Sequence, residues 1–401
     1  MSFEIALSGI NAINTSLDSI SNNIANAGTY GFKSTRANFA SLYAGTAPAG
    51  AQISSLTQSI DIGGGAMTTG RGLDAMVQGR GFFVAKDNSG VEVYTRVGIF
   101  GTDKNGYLVD ASNRRMQGYA VIRDAAGVPL PDAGLGAMGD LQVPSGQVAA
   151  QATTRMQYVS NLSSDWEVRT ATFDPTLPQT YNSSDVSVVY DSLGSKHTVT
   201  QYFVKTDTNE VTVHYTFDGA PFTPAAQQVL TFGTDGQLAA PPAVTLAATP
   251  AGADPLSIAL DYTGTTQFAG DSRPSVNAPN GYASGTRVNV TLSEDGSVIA
   301  EYSNGQKQKV GTLAMATFPN EQALQAVSDT SWTSTATSGT PLYATPGTGM
   351  AGQLTVGAIE QSNVDMTSEL VNLMTSQRNY QANTKVISTA NDMMQSLMQA
   401  V

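Results

Sequence analysis

Apolar residues in the first stretch of the chain recur at alternating steps of three and four: Phe3, Ala6, Ile10, Ile13, Leu17, Ile20, Ile24 and Ala27. That spacing predicts a helix with a heptad seam running for about three and a half repeats. Its other positions are mostly Asn, Ser, Thr and Ala in place of the Glu and Lys of a self-sufficient coiled coil, so the isolated helix is expected to be marginal. The last stretch repeats the arrangement. Met366, Leu373, Tyr380, Ile387, Met394 and Val401 recur every seven residues, Asp365 stands where an N-cap belongs, and Glu369 falls in the first turn, where a carboxylate suits the helix dipole. A companion line, Leu370, Gln377, Thr384, Asn391 and Met398, is polar in its middle three members. The second seam is therefore expected to be strong on one side only.

Between the helices the period changes from seven to two. "GFFVAKDNSGVEVYTRV" reads as two strands around a turn, and "GIFGTDKNGYLVD" carries Asn105-Gly106, a dipeptide suited to a tight hairpin. "VSVVYDSLGSKHTVTQYFVKTDTNEVTVHYTF" alternates apolar and polar residues over three runs, and further turns are expected at Asp235-Gly236, Asp295-Gly296 and Asn304-Gly305. Short strands separated by Gly, Asn and Asp predict antiparallel sandwiches or barrels. The Pro- and Gly-rich passages 127–146 and 272–285 read as linkers bracketing an insertion.

The expected fold is mainly β with terminal α-helices. The two helices pair as a coiled-coil-like core (1–27 and 362–401), and an extended or irregular segment (28–68) connects the first to the rest. An inner antiparallel β domain is built from both flanks (69–146 and 282–361), with an outer β domain inserted at 147–281. At 401 residues the chain is long enough for two or three cores.

Charge narrows the partners. The formal net charge is -12 and the only adjacent basic pair is Arg114-Arg115, so nucleic acid is not expected as a partner. There is no cysteine, which removes disulfides, thiolate metal sites and thiol nucleophiles. The N-terminal stretch has no basic region followed by a continuous apolar run, and no segment approaches a membrane span, so neither a Sec-type signal nor membrane insertion is expected.

The remaining residues offer little candidate chemistry. His197 and His214 are the two histidines. They read as solvated turn or strand-face residues, with no carboxylate spacing that makes a metal site. "GRGLDA" (70–75) matches a dinucleotide fingerprint formally but is followed by more glycine where a helix is required, and "GTYGFKS" places Phe32 where a phosphate loop needs glycine. No G-x-S-x-G elbow occurs. No catalytic residue, cofactor or metal is expected.

"SGINAINTSLDSISNNIANAGTYGFKS" resembles the N-terminal signature of the axial proteins of the bacterial flagellum, the rod, hook and hook-junction family, in which a helical stripe ends in an NNIAN-type segment followed by T-x-G-[FY]-K. "SNVDMTSELVNLMTSQRNYQANTKV" resembles that family's closing signature, and "TGRGLDAMVQGRGFFVA" and "YSNGQKQKVGTLAMATF" are similar to its inner β domain. The inserted block resembles the larger, hook-type members. A distal rod subunit is the alternative reading, and an extracellular β-rich adhesin a more distant one, since an adhesin has no need of paired heptads at both ends.

The resemblance implies a structural, non-enzymatic subunit of a flexible, curved, hollow tube that passes motor torque to the filament. It implies export by the flagellar type III apparatus without a cleaved signal, and assembly with copies of itself, a distal rod protein, a hook cap protein and a hook-filament junction protein. The expected assembly interface comprises Phe3, Ile10, Ile13, Leu17, Ile20, Ile24, Met366, Leu370, Leu373, Tyr380, Ile387 and Met394. Asn22, Asn23 and Asn26 are expected to bond backbone where the first helix ends, with Gly28 and Gly31 allowing the chain to turn outward.

Overall fold

The computed structural model describes residues 2–400 apart from 88, 123–133, 145, 223–224 and 240–243, so most of the passage 127–133 expected as linker lies outside the described residues. The chain divides into two units, one of residues 1–145, 289–301 and 307–401, the other of residues 146–288 and 302–306.

The first unit carries both helices, α1 (Ser2–Ala25) and α2 (Met366–Ala400). After α1 the chain forms a long antiparallel hairpin of β1 (Thr35–Ala44) and β2 (Ala47–Gln58). The segment expected to be extended or irregular over 28–68 is thus largely a hairpin of extended strands. The hairpin's register slips between Asn38 and Phe39 and between Leu42 and Tyr43, and such bulges break the strict alternation by which strands are read from sequence.

Strands from the two flanks then close on one another. Ala66–Thr68 pairs with Ala358–Glu360, and Ala75–Gln78 with Gln353–Val356, all antiparallel. Strand Phe82–Lys86 lies at the middle of the main sheet, beside Glu92–Thr95, Arg115–Ala120 and Met315–Thr317. The core here is aromatic. Phe82 meets Trp332 at 5.4 Å and Phe318 at 6.1 Å, and Tyr94 meets Phe318 edge-on at 4.8 Å. Each such side chain contributes about 1.5–3 kcal/mol by leaving water, and the Trp332 indole N–H is satisfied by Gln58 Oε1 at 2.6 Å. The turn expected at Asn105-Gly106 is present: Asp103 Oδ1 accepts from the amides of Asn105 and Tyr107, and Gly106 has φ +83°.

The second unit is a sandwich. One sheet orders Val244–Ala248, Leu256–Asp261, Arg155–Ser160 and Pro274–Pro279; the other is built on Ser183–Tyr190, Lys196–Asp207 and Glu210–Phe217. Tyr158, Phe203, Val213, Leu246, Ile258 and Tyr262 fill the shared core. Two expectations are corrected. The linker-like passage 272–285 contains the edge strand Pro274–Pro279, a position where missing ladder donors are tolerated. The pairing of Arg155–Ser160 with Leu256–Asp261 is parallel. A buried polar chain also crosses the core: the hydroxyls of Tyr215 and Tyr262 meet at 2.8 Å, and Tyr262 donates to Gln201 Oε1 at 2.5 Å.

Candidate assembly interface

The two helices run antiparallel and in heptad register. Asn23 Nδ2 donates to Glu369 Oε1 at 2.8 Å, and a Cβ built on Gly9 would lie 3.2 Å from Asn383 Nδ2. The two contacts are fourteen residues apart on each helix (23 − 9 and 383 − 369). The facing lines are therefore Gly9, Ser16 and Asn23 on α1 and Glu369, Ser376 and Asn383 on α2. Their small and polar side chains permit close approach of the two backbones.

This geometry places the companion line of α2 away from α1. Leu370, Gln377, Thr384 and Asn391 are exposed, and the line that shares the covered edge with Leu373 and Ile387 is Glu369, Ser376, Asn383 and Ala390. The residues expected at the interface divide accordingly. Ile13 and Ile20 are buried, as is Ala6 one heptad before Ile13, while Ile10, Leu17, Ile24, Leu373 and Ile387 are half-buried. Phe3, Met366, Leu370, Tyr380 and Met394 are exposed.

The other side of α1 is covered by the hairpin. Ser19 Oγ donates to the Thr35 carbonyl at 2.8 Å, the Ala51 amide donates to Ser8 Oγ at 3.3 Å, and Gly50 lies so close to Ser8 that any Cβ there would collide with its hydroxyl. A cavity of about 980 Å³ is left between hairpin and helices, lined among others by Ile13, Ile20, Phe39, Asn379 and Ala382.

The asparagines at the end of α1 have different tasks. Asn26 Nδ2 bonds the Asn22 carbonyl and Oδ1 at 2.9 and 2.8 Å, a local closure of the last turn. Asn23 is buried and reaches outward. Its Oδ1 accepts from the Thr35 amide at 2.9 Å, and its Nδ2 donates to the Thr35 carbonyl and to Glu369. Gly31 has φ +68° and packs against Val97. Gly28 needs no such freedom, having open space and no positive φ.

Sequence reasoning missed the residues that bring the chain ends together. Lys33 Nζ meets Glu360 Oε1 at 2.6 Å, both side chains almost fully buried, with Arg96 Nη1 3.8 Å from the other carboxylate oxygen. Burial pushes the Lys33 ammonium below the ordinary lysine range, against the raising effect of Glu360. Asn363 Oδ1 accepts from the Ser34 amide at 2.7 Å and its Nδ2 donates to the Ser59 carbonyl at 2.9 Å. Asp365 caps α2 as expected: its carboxylate accepts from the Ser368 hydroxyl at 2.7 Å and the Thr367 amide at 2.9 Å, which lowers its pKa. The one available signal was Lys33 itself, a lone cation within the quoted T-x-G-F-K stretch.

Among the described residues no group of three or more His, Cys, Asp and Glu side chains is placed to hold a metal, and no helix is long and apolar enough to cross a membrane. His197 lies between Asp218 (2.7 Å) and Asp191 (3.4 Å), and His214 stacks on Phe173 at 4.2 Å. Both are thus engaged more closely than the solvated reading allowed. Arg114 pairs with Asp110 and Arg115 with Asp140, so the basic pair is neutralised locally.

A β body carried on an antiparallel pair of half-covered helices defines the class, a subunit with unfinished surfaces at its chain ends. Comparison with known proteins is specific. Residues 76–154 match the Flagellar hook protein FlgE/F/G D1 domain, residues 161–282 the Flagellar basal body protein FlaE D2 domain, and residues 355–400 the Flagellar basal body rod FlgEFG protein C-terminal region. Flagellar hook protein FlgE of Escherichia coli (strain K12) is 37% identical over 406 residues, spanning 99% of both chains. The hook proteins of Brucella suis biovar 1 (strain 1330) and Treponema pallidum (strain Nichols) are 31% and 29% identical, each over 98% of this chain and 96% and 97% of theirs. The crystal structure of Helicobacter pylori flagellar hook protein FlgE2 has the same fold, with a TM-score of 0.54 at 12% identity over 72% of this chain and 98% of that one. The chain belongs to the family of flagellar hook proteins, and the full-length matches favour this over a rod subunit.

Proposed function

We propose that copies of this chain polymerise through their terminal helices into a curved, flexible, hollow tube, the hook, which passes torque from motor to filament outside the cell. One observation carries the reading. The stripe Leu373, Tyr380, Ile387 and Met394 continues along α2 after α1 has ended: with Gly9 opposite Asn383, Ser2 falls opposite residue 390 (383 + 7). Residues 391–400 extend about 15 Å further, and Met393, Met394 and Met398 on them are exposed. A methionine-rich helix end of this kind is costly to leave in water and adapts to irregular partners.

The expected set then divides between cover within the chain and contact with neighbours. Ile13 and Ile20 hold α1 to its own chain, and Phe3, Ile10, Leu17, Ile24, Met366, Leu370, Leu373, Tyr380, Ile387 and Met394 are offered wholly or partly to neighbours, with Asn22, Asn23 and Asn26 setting the turn. Residues 1–27 and 362–401 act as the inner core, 28–68 as its connector, 69–146 and 282–361 as the inner domain and 147–281 as the outer one. The low charge of the outer surface suits contacts that slide as the tube bends. The protein has a structural, non-catalytic role. Export by the type III apparatus, and junctions with the distal rod, hook cap and hook-filament junction proteins, complete the reading.

Negative-stain microscopy of concentrated or salted-out protein tests it. Full-length chain is expected to form tubes and a chain ending at residue 390 to stay monomeric with its β units folded. Equal polymerisation of the shortened chain would refute the role given to the helix end.

A further inference from the structure

The passages that join the helices to the β body, residues 26–34 and 361–365, meet at one carboxylate. Glu360 Oε1 accepts from Lys33 Nζ at 2.6 Å and from the Gly64 amide at 2.9 Å, and Oε2 faces Arg96 at 3.8 Å. The Glu360 carbonyl accepts from the Gly31 amide at 2.8 Å. Lys33 also donates to the Ile62 carbonyl at 2.7 Å, and the Arg96 guanidinium lies over the Phe82 ring, 5.1 Å from its centroid. Glu360, the last residue of the strand before α2, therefore touches the way out of α1 and the loop after the hairpin, and reaches the aromatic core through Arg96.

A buried ion pair is a poor source of net stability, because desolvation offsets most of the attraction, whereas removing one partner strands the others in low dielectric. In some proteins such clusters act by rejecting alternative arrangements. Two buried cations flank one buried carboxylate here, and the other carboxylate near Lys33, Asp61, is exposed. If either connector slid by a residue, Lys33 and Arg96 would lose their shared partner.

We infer that Glu360 is a positioning residue for assembly: by holding Lys33 and Arg96 together it sets the register in which α1 and α2 leave the β body, and so the direction in which the helix pair meets a neighbouring copy. The inference rests on the assembly reading above, and its test separates the two.

The chain contains no cysteine, so Gly9→Cys with Asn383→Cys introduces the sole thiol pair, where a Cβ on Gly9 would meet the Asn383 side chain. In full-length protein the rate of disulfide formation reports helix register before any assembly. Glu360→Gln in that background is expected to slow cross-linking about tenfold or more, to remove hydrogen-exchange protection at the Gly31 and Gln361 amides, and to abolish tubes. Lys33→Arg, which keeps the charge, is expected to preserve all three. Unchanged cross-linking and exchange in Glu360→Gln would overturn the inference. If that variant does not fold, Glu360→Asp carries the test. It keeps the charge but shortens the reach by one methylene, and is expected to slow cross-linking while the aromatic core melts as in the parent; a parental rate would overturn the inference. Because register is read in the free chain, failure of the parent to form tubes would refute the assembly reading and leave this result standing.

Discussion

α1 and α2 carry the same kind of heptad pattern and meet different fates. α1 has 24 residues and is gripped on two sides by its own chain, the hairpin and α2, so that Ala6, Ile13, Ile20 and Asn23 are buried. α2 has 35 residues, and none of its described side chains is buried. Apolar periodicity marks which residues need a partner, not whether that partner lies in the same chain. On the proposed assembly, the difference between the helices maps what the subunit completes alone and what it leaves to its neighbours.

The largest effect that would break the comparison is at Ile20. Ile20→Asp places a carboxylate between helix and hairpin, at a cost of several kcal/mol, about 3 or more. Circular dichroism of dilute protein should show lost helix as well as lost assembly. Retained helicity would mean that α1 does not depend on its own chain for cover.

Next comes a pair on α2. Ile387 is half-buried on the covered edge and Thr384 is exposed, its hydroxyl bonded back to the Tyr380 carbonyl at 2.9 Å. Ile387→Asp is expected to abolish tubes and motility while both β units melt as in the parent. Thr384→Asp, costing within about 0.5 kcal/mol as surface changes do, is expected still to form hooks. Equal loss in both variants would mean that the exposed line is covered in the assembly.

The smallest effect is at the cap. The hydrogen bonds from Ser368 and Thr367 hold the Asp365 carboxyl below its ordinary value. Its stabilisation of α2 is therefore present above the ordinary aspartate pKa and disappears as pH falls through the lowered folded value. Asp365→Ala should fray the first turn of α2 at neutral pH, seen as faster exchange of the Thr367 and Ser368 amides, and should remove that acid dependence. α1, to which Asp365 makes no hydrogen bond, should not respond to the substitution.

Much of the architecture was legible in the sequence because its causes are local. Heptad spacing marked both helices, Asp365 marked the start of α2, and Asn105-Gly106 marked a hairpin whose glycine adopts positive φ. The rest depends on distant partners. The hairpin 35–58 is rich in Ala, Ser and Gly and gains its strands by lying on α1. Lys33 and Glu360 are 327 residues apart, and no spacing rule links them. The line of α2 that faces α1 was not legible, because Ser376 and Asn383 are as polar as Gln377 and Thr384. Only the close approach of Gly9 and Asn23 decides between them.

Hydrogen exchange, followed along both helices in free chain and in tubes, tests the asymmetry most directly. In the free chain the amides around Ile13 to Ile20 should be protected well above those of residues 391–400, since uncovered helix opens at little cost. On assembly the far end of α2 should gain protection by about a hundredfold, several times the gain in α1, as burial by a neighbour adds about 2–3 kcal/mol to local opening. Equal protection of the two helices in the free chain, or no gain at 391–400 in tubes, would contradict the division of labour between them.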